Sequence, residues 1–595
     1  MGLFHTLREN IKLSIWDYVD RVHRILRWMN LFVSSFTMGV IIYYYGFPLE
    51  EKTKLICNII IHCSLLFYVL KFILSTIFSI HSFQYIKKHK FETFIVIFIS
   101  IWFIVSNILG YGMFGLLGHK GESFTDIIML LVQVCFLIFI LNELSYIGHF
   151  LGQLKIKTGG LLIISFLFLI TAGTFLLLLP EMSTNGISFS DAMFTATSAS
   201  CVTGLSTLDI GTVFTHKGQF IIMLLIQLGG INIVCFASFL IYFNKGGILR
   251  YQSVLKDMMN NTSLQGTRRM TREIVLFTII IELIGFTFLF IYLNITQKYS
   301  GNVSENVFLS AFHSIASFNN SGFCFIDGGM TNDFFRYDYY IQSVTMFLIL
   351  VGGIGFLTIN DILLVPEGFQ NRWTRMQITS KVVLKLTLFF VLFGAVSFFL
   401  LEYNNANKDS SLTDRIFTAL FTSISSRTAG FNIVEIPSLN MATRLIIIIL
   451  MLIGAAPYST GGGIKLTTVY ILFKSAITTI TGKKQVTILN RSVSYDTVDK
   501  AYVILLFTIV VILTGSMILT ISESNFTMEE IFFEVASAFG TSGLSSGIIS
   551  ELSSFGKYVI IVMMFIGRIT VLTLALSLVR RSFARYTLVE TNFGI

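Results

Sequence analysis

The chain has 595 residues, of which 54% are hydrophobic and only 13% charged, with 59 phenylalanines. Soluble domains carry about 25% charged residues, so this chain could not cover a soluble surface; disordered, collagen-like and disulfide-scaffold classes are excluded as well, and an all-α integral membrane protein is expected, with the lipid bilayer as its solvent. Basic residues exceed acidic ones by nine (42 − 33), but no soluble stretch is large enough to carry a basic domain, so no nucleic-acid partner is expected.

At the N-terminus, Phe4, Leu7, Ile11, Ile15, Val19, Val22 and Leu26 recur at helical spacing, interleaved with Arg8, Lys12, Arg21, Arg24 and Arg27. This pattern predicts an amphipathic surface helix over 1–27 rather than a cleavable signal. A bilayer core needs about 20 apolar residues per helix. About twelve transmembrane helices are predicted, at 28–47, 55–80, 92–117, 126–150, 160–179, 219–243, 273–293, 341–362, 382–402, 445–475, 502–521 and 558–579. The 445–475 stretch is too long and is interrupted by Pro457, Ser459, Thr460 and Gly461–Gly463, which predicts a broken helix. Non-helical backbone at that depth must be buried in protein or line water.

Four further apolar runs, at 190–200, 305–318, 412–426 and 528–539, are too short to cross and predict re-entrant helices. Each is followed by a glycine with a small residue before it and a large apolar one after it. The four sites are Val202-Thr203-Gly204-Leu205, Asn319-Asn320-Ser321-Gly322-Phe323, Arg427-Thr428-Ala429-Gly430-Phe431 and Thr541-Ser542-Gly543-Leu544. Ten residues before each glycine stands Phe194, Phe312, Leu420 or Phe533. Self-similarity in register predicts four pseudo-repeats of helix, re-entrant helix, glycine loop and helix around one central pore. The predicted parts are a surface helix (1–27), four extra N-terminal transmembrane helices (28–155) and pore repeats 1 to 4 at 156–245, 246–363, 364–480 and 481–595.

Such a repeat suits a monovalent cation. Four short helices aim their negative C-terminal ends inward, and extended backbone beyond them offers carbonyl oxygens in place of a hydration shell. Glycine permits the backbone angles. The glycine runs hold no carboxylate, as a divalent site would require. The expected ligands of such an ion are the carbonyls of Val202, Thr203, Asn320, Ser321, Thr428, Ala429, Thr541 and Ser542, completed by Gly204, Gly322, Gly430 and Gly543.

These motifs resemble the four filter loops of the Trk/Ktr/HKT superfamily of potassium transporters. Ser459-Thr460-Gly461-Gly462-Gly463-Ile464-Lys465 resembles that family's intramembrane gating loop, and Gly567-Arg568 its fourth-repeat arginine. The resemblance covers about 155–595. It implies a pore subunit of a bacterial potassium uptake system, with a gate at Ser459, Thr460, Gly461, Gly462, Gly463 and Arg568, the arginine lying below the filter. It also implies a homodimer, cytoplasmic nucleotide-binding subunits of the TrkA/KtrA type, and glycine rather than serine at Gly204 as a potassium preference. The basic loops 244–273 and 474–500 are plausible docking faces. Three departures stand out: Asn232 in place of a glycine, Thr570-Val571 in place of Gly-Pro, and Ala455-Ala456-Pro457-Tyr458 before the gating loop.

The remaining features have plainer readings. Cys57, Cys63, Cys135, Cys201, Cys235 and Cys324 lie in apolar runs without metal spacing, and no nucleophile–base set or Walker motif appears. Neither an enzyme nor a nucleotide site on this chain is expected. Gly229, Gly230, Gly352, Gly353 and Gly355 read as helix-packing residues. Arg427 reads as a vestibule residue pairing an acid or a carbonyl, Asn319 and Asn320 as braces, His313 as a packed residue and Glu282 as an interhelical hydrogen-bonding group. Lys71 has no evident partner. Two alternatives stay open: a sodium or mixed sodium/potassium transporter of this fold, and a non-conducting membrane sensor or scaffold.

Charge sets the expected topology. Segments 1–27, 81–91, 152–158, 244–273, 363–385, 474–500 and 580–595 hold 28 of the 42 basic residues, and the segments on the other side hold 11. The positive-inside rule places the first set, and both termini, in the cytoplasm of an inner-membrane protein.

Overall fold

The computed structural model describes residues 25–78 except 27 and 31, residues 83, 86, 87, 93, 96, 97 and 100, and then 158–243, 264–297, 302–363, 373–405, 408 and 411–569. The predicted surface helix (but for 25 and 26), the span at 126–150, most of that at 92–117, and Thr570-Val571 lie outside the described residues. The chain forms two units: 1–154 with 240–248, and 155–239 with 249–595.

In the first unit, residues 32–46 are helical and α1 (Glu51–Phe78) follows. The Thr37 hydroxyl donates to Ser64 Oγ at 2.7 Å, joining the two apolar segments by a buried polar contact. Lys71, for which no partner was evident in the sequence, has one about a helical turn back: its Nζ lies 5.2 Å from the centre of the Tyr68 ring, a cation–π contact.

Among its described residues the second unit is helical, apart from the connections and a small hairpin. Its helices are α2 (Thr158–Leu177), α3 (Phe189–Cys201), α4 (His216–Phe243), α5 (Leu264–Thr296), α6 (Val303–Phe318), α7 (Tyr339–Ile354) and α8 (Phe356–Leu363). They continue as α9 (Ile378–Leu401), α10 (Leu412–Ser425), α11 (Met441–Leu452), α12 (Leu466–Ile480), α13 (Tyr495–Ser522), α14 (Met528–Gly540) and α15 (Ser554–Ile569). Long apolar α5, α9 and α13 are each long enough to cross a bilayer. Short α3, α6, α10 and α14 are buried along their C-terminal halves. Large side chains on them, Phe194, Phe312, Phe421 and Phe533, are almost wholly enclosed and fill the space between neighbouring helices. Between Thr487–Ile488 and Arg491–Ser492 the chain makes a two-stranded hairpin. Its turn residues Leu489 and Asn490 both have positive φ, as a two-residue type I′ turn requires.

One predicted span is corrected. Residues 341–362 read as a single helix, yet α7 and α8 meet at 97°. The break is at Gly355, whose φ of +86° and ψ of 143° belong to glycine alone. The carbonyls freed at the end of α7 are taken up by another segment: Ala456 N donates to Gly353 O at 3.1 Å and Thr460 N to Gly352 O at 3.4 Å. The Phe356 amide in turn donates to Tyr458 O at 3.2 Å. Gly355 is therefore a bend residue, not a packing one. Gly355→Ala would place a Cβ 2.6 Å from Pro457 O, on top of a backbone cost of about 1–3 kcal/mol. A fall of several degrees in the thermal midpoint of the detergent-solubilised protein is expected; an unchanged midpoint would contradict this account.

Candidate functional site

The four short helices begin alike. Ser188, Asn302, Ser411 and Thr527 cap α3, α6, α10 and α14 through side-chain oxygens. Three residues on stand Asp191, Glu305, Asp414 and Glu530, an acid at each helix's positive end.

They also end alike. Thr203 N donates to Ser198 O at 2.8 Å, Ser321 N to Ala316 O at 2.9 Å, and Ser542 N to Ser537 O at 2.9 Å. These are the six-to-one bonds of a Schellman closure. In the third case Gly430 N reaches Ser425 O at 3.1 Å. The turn forces a left-handed residue two places before each glycine: Val202, Asn320, Thr428 and Thr541, with φ of 56°, 58°, 83° and 48°. The glycines themselves have φ of 94°, 68°, 77° and 84°. Val202, Thr428 and Thr541 are β-branched, for which positive φ is a true outlier. All four left-handed residues are 0% exposed, so surrounding packing holds the strain.

The glycines meet in a closed cycle. A Cβ on Gly204 would strike the carbonyl oxygen of Ser321; one on Gly322, that of Ala429; one on Gly430, that of Ser542; and one on Gly543, that of Thr203. Each loop thus abuts the next, and the fourth returns to the first. Among the described residues, no hydrogen bond is accepted by the carbonyls of Val202, Thr203, Asn320, Ser321, Thr428, Ala429, Thr541 or Ser542. Buried carbonyls ordinarily find a donor; these eight have none among the described residues. No cluster of three or more His, Cys, Asp or Glu side chains among the described residues could hold a metal ion.

The same rotational order recurs at the far ends of the short helices. Lys557 at the start of α15 pairs with Asp191 of α3 at 2.7 Å. Arg444 of α11 pairs with Glu529 of α14 at 3.2 Å. The Tyr339 hydroxyl of α7 donates to Asp414 of α10, and the His216 ring of α4 lies against Phe308 of α6 at 5.3 Å.

Behind the second loop, Asn319 Nδ2 donates to Glu282 Oε1 and to Gln227 Oε1, each at 3.0 Å. Gln227 Nε2 donates to Glu282 Oε2 at 3.0 Å. This links α4, α5 and the second loop. His313 Nε2 lies 2.8 Å from Thr345 Oγ1, with its ring stacked on Phe335. The inner glycines are close contacts: a Cβ on Gly229 would strike Ser200 O, and one on Gly352 would strike Phe318 O.

Between α11 and α12 the chain leaves the helix at 453–465. A parallel bridge joins Ile453 to Ile464, and Gly454 N donates to Ile464 O at 2.9 Å. The tip lies directly against two left-handed residues of the glycine loops. Gly462 N donates to Thr541 Oγ1 at 3.0 Å, and a Cβ on Gly461 would strike Thr428 Oγ1. Arg568, 3% exposed, clamps this tip: one guanidinium nitrogen donates to Thr460 O and the other to Gly229 O at 2.6 Å. Lys465 Nζ donates to Gly461 O at 2.6 Å. Ser459 Oγ closes the turn on Ala456 O at 2.5 Å, and Gly463 has φ +69°.

Arg427 pairs a backbone carbonyl, as its sequence reading allowed, but from a buried place. It is 7% exposed and donates to Thr387 O of α9 at 3.4 Å, packed behind the third loop rather than standing in a vestibule. Reading by residue type also passed over the helix caps and the left-handed residues. The caps carried a signal, Ser/Asn/Thr followed by Asp/Glu three residues later. Of the left-handed residues only Asn320 carried one, since asparagine tolerates that conformation while valine and threonine disfavour it.

The TrkH family, described as cation transport protein, matches residues 130–583. The chain is 37% identical over 425 residues to Ktr system potassium uptake protein B of Vibrio alginolyticus, covering 71% of this chain and 91% of that one. It is 36% identical over 419 residues to the protein of that name from Bacillus subtilis (strain 168), covering 70% and 92%. The crystal structure of the potassium transporter TrkH from Vibrio parahaemolyticus superposes with a TM-score of 0.59 at 18% identity, covering 72% of this chain and 86% of that chain. At that identity the superposition speaks to the all-α fold alone, and the family match and the relatives above 30% identity speak to descent. The chain belongs to the TrkH family of cation transport proteins.

Proposed function

We propose that this chain is the pore-forming subunit of a potassium uptake system, and that the four glycine loops are its selectivity filter. The observation that carries this reading is the closed ring of Gly204, Gly322, Gly430 and Gly543 with eight unpartnered carbonyls. A monovalent cation entering that ring exchanges its hydration shell for protein oxygens at little reorganisation cost. The C-terminal ends of α3, α6, α10 and α14 add negative potential there. The tip at 459–463 closes the path on one side, held by Arg568. Opening requires breaking the Arg568 contacts to Thr460 O and Gly229 O.

In this reading the filter faces outward, the basic segments lie in the cytoplasm of the cell's inner membrane, and ions move down their electrochemical gradient. The relatives are named as parts of a Ktr system, which fits a multi-component assembly. A second copy of this chain and a cytoplasmic nucleotide-binding subunit are the partners proposed, with 244–273 and 474–500 as docking faces.

Rescue of a potassium-uptake-deficient bacterium at low potassium, together with tracer uptake, tests the reading. Rubidium uptake should exceed sodium uptake at least about tenfold, a free-energy preference of about 1.4 kcal/mol. Gly204→Ser, whose Cβ would strike Ser321 O, should lower rubidium uptake more than sodium uptake and so reduce that ratio. Equal rubidium and sodium uptake by the unmodified protein would sink the potassium assignment, and no rescue despite good expression would favour a non-conducting role.

A further inference from the structure

Glu534 sits on α14 nine residues before Gly543, is 0% exposed, and plays no part in the ring described above. One of its oxygens, Oε1, accepts three hydrogen bonds: from Ser545 Oγ at 2.7 Å, Ser546 N at 2.7 Å and Ser546 Oγ at 2.8 Å. Those donors lie two and three residues beyond Gly543, on the strand that leaves the ring. The other oxygen, Oε2, is buried without a partner. Burying a carboxylate is costly unless it is hydrogen-bonded, so this group is poorly explained as filling. The corresponding positions in the other three short helices are Thr195, His313 and Phe421. Thr195 Oγ1 has no partner, His313 bonds Thr345 of α7 instead of its own strand, and phenylalanine cannot accept. Of the four loops, therefore, only the fourth is tied at this position to its own helix by a carboxylate. Gly543 is also where the ring closes, against the carbonyl of Thr203.

We infer that Glu534 is a positioning residue for ion selection: through Ser545 and Ser546 it fixes the strand that holds Gly543 against the first loop, and so sets the width of the ring at its closing seam. This rests on the reading of the glycine loops as a filter. Three hydrogen bonds converging on one buried oxygen hold the strand against lateral movement when a smaller or larger ion enters.

The test is rubidium and sodium tracer uptake by Glu534→Ala, Glu534→Gln and the double variant Ser545→Ala/Ser546→Ala, in membranes where each protein is quantified. Glu534→Ala should lower the rubidium-to-sodium uptake ratio about tenfold and raise the rubidium KM, a change of the size that one well-placed polar contact confers on specificity. Glu534→Gln, which keeps an acceptor oxygen, should restore most of the ratio. A merely structural loss lowers the maximal rate with the amount of folded protein and leaves the KM and the ratio alone. Should Glu534→Ala fail to reach the membrane, the double serine variant decides by the same ratio. A wild-type ratio and KM in whichever variant is folded overturns the inference. Absence of selective rubidium uptake by the unmodified protein overturns the filter reading itself, so the two failures are told apart.

Discussion

Gly430→Ala is expected to cut rubidium uptake about 100-fold, the order of loss that a displacement of about 1 Å brings to a preorganised site. The added methyl group would strike Ser542 O and sit 2.9 Å from Gly543 Cα, and both obstacles are backbone. Neither can rotate away as a side chain could. The φ of +77° adds its own strain for an L-residue. Because the loops abut in a cycle, moving the fourth loop away from the third pushes it onto Thr203, and the disturbance travels round the ring. Gly186→Ala is the matched control. That glycine has a similar φ of +74° but nothing within 4 Å of its added Cβ, so it carries the backbone cost without the collision and should leave uptake unchanged. Near-normal uptake by Gly430→Ala, at equal protein, would mean that the ring does not touch the ion.

Arg568→Gln should act in the opposite direction. Each hydrogen bond from a charged donor contributes roughly 1.5–3 kcal/mol, and Arg568 makes two, to Thr460 O and Gly229 O. Glutamine is too short to span both and carries no charge to repel an arriving cation. Losing even one bond's worth of tether shifts the closed tip toward open by about tenfold or more. Initial rubidium uptake should rise accordingly, with the rubidium-to-sodium ratio unchanged, because the ring is untouched. A lower rate from well-folded protein would show that Arg568 supports the structure and does not hold the tip shut.

The glycine loops were legible because a backbone requirement leaves its mark on residue type. Gly204, Gly322, Gly430 and Gly543 cannot be other residues where a Cβ meets a carbonyl, and their spacing between apolar runs repeats. The short helices were legible for a related reason, since an apolar run of a dozen residues has nowhere to go except into the protein. What stayed hidden depends on partners far away in sequence. The bend at Gly355 is caused by amides at 456 and 460 that take over the carbonyls of α7. The buried place of Arg427 is set by Thr387. Val202, Thr428 and Thr541 oppose their own conformational preference, and only tertiary packing keeps them there.

The closing seam has a consequence for biosynthesis. Three of the four contacts in the glycine cycle join loops that follow one another along the chain. The fourth, between Gly543 and Thr203, waits for nearly the whole protein to be made, and so does the Lys557–Asp191 pair at the other end of α3, whose members are 366 residues apart. Arg568 reaches Gly229 across 339 residues. Loop-closure entropy makes such contacts the last to form. During insertion, the first loop therefore stands without this support for its strained backbone until the fourth loop and α15 arrive. A chain cut short before α14 would hold three loops and no closed cycle.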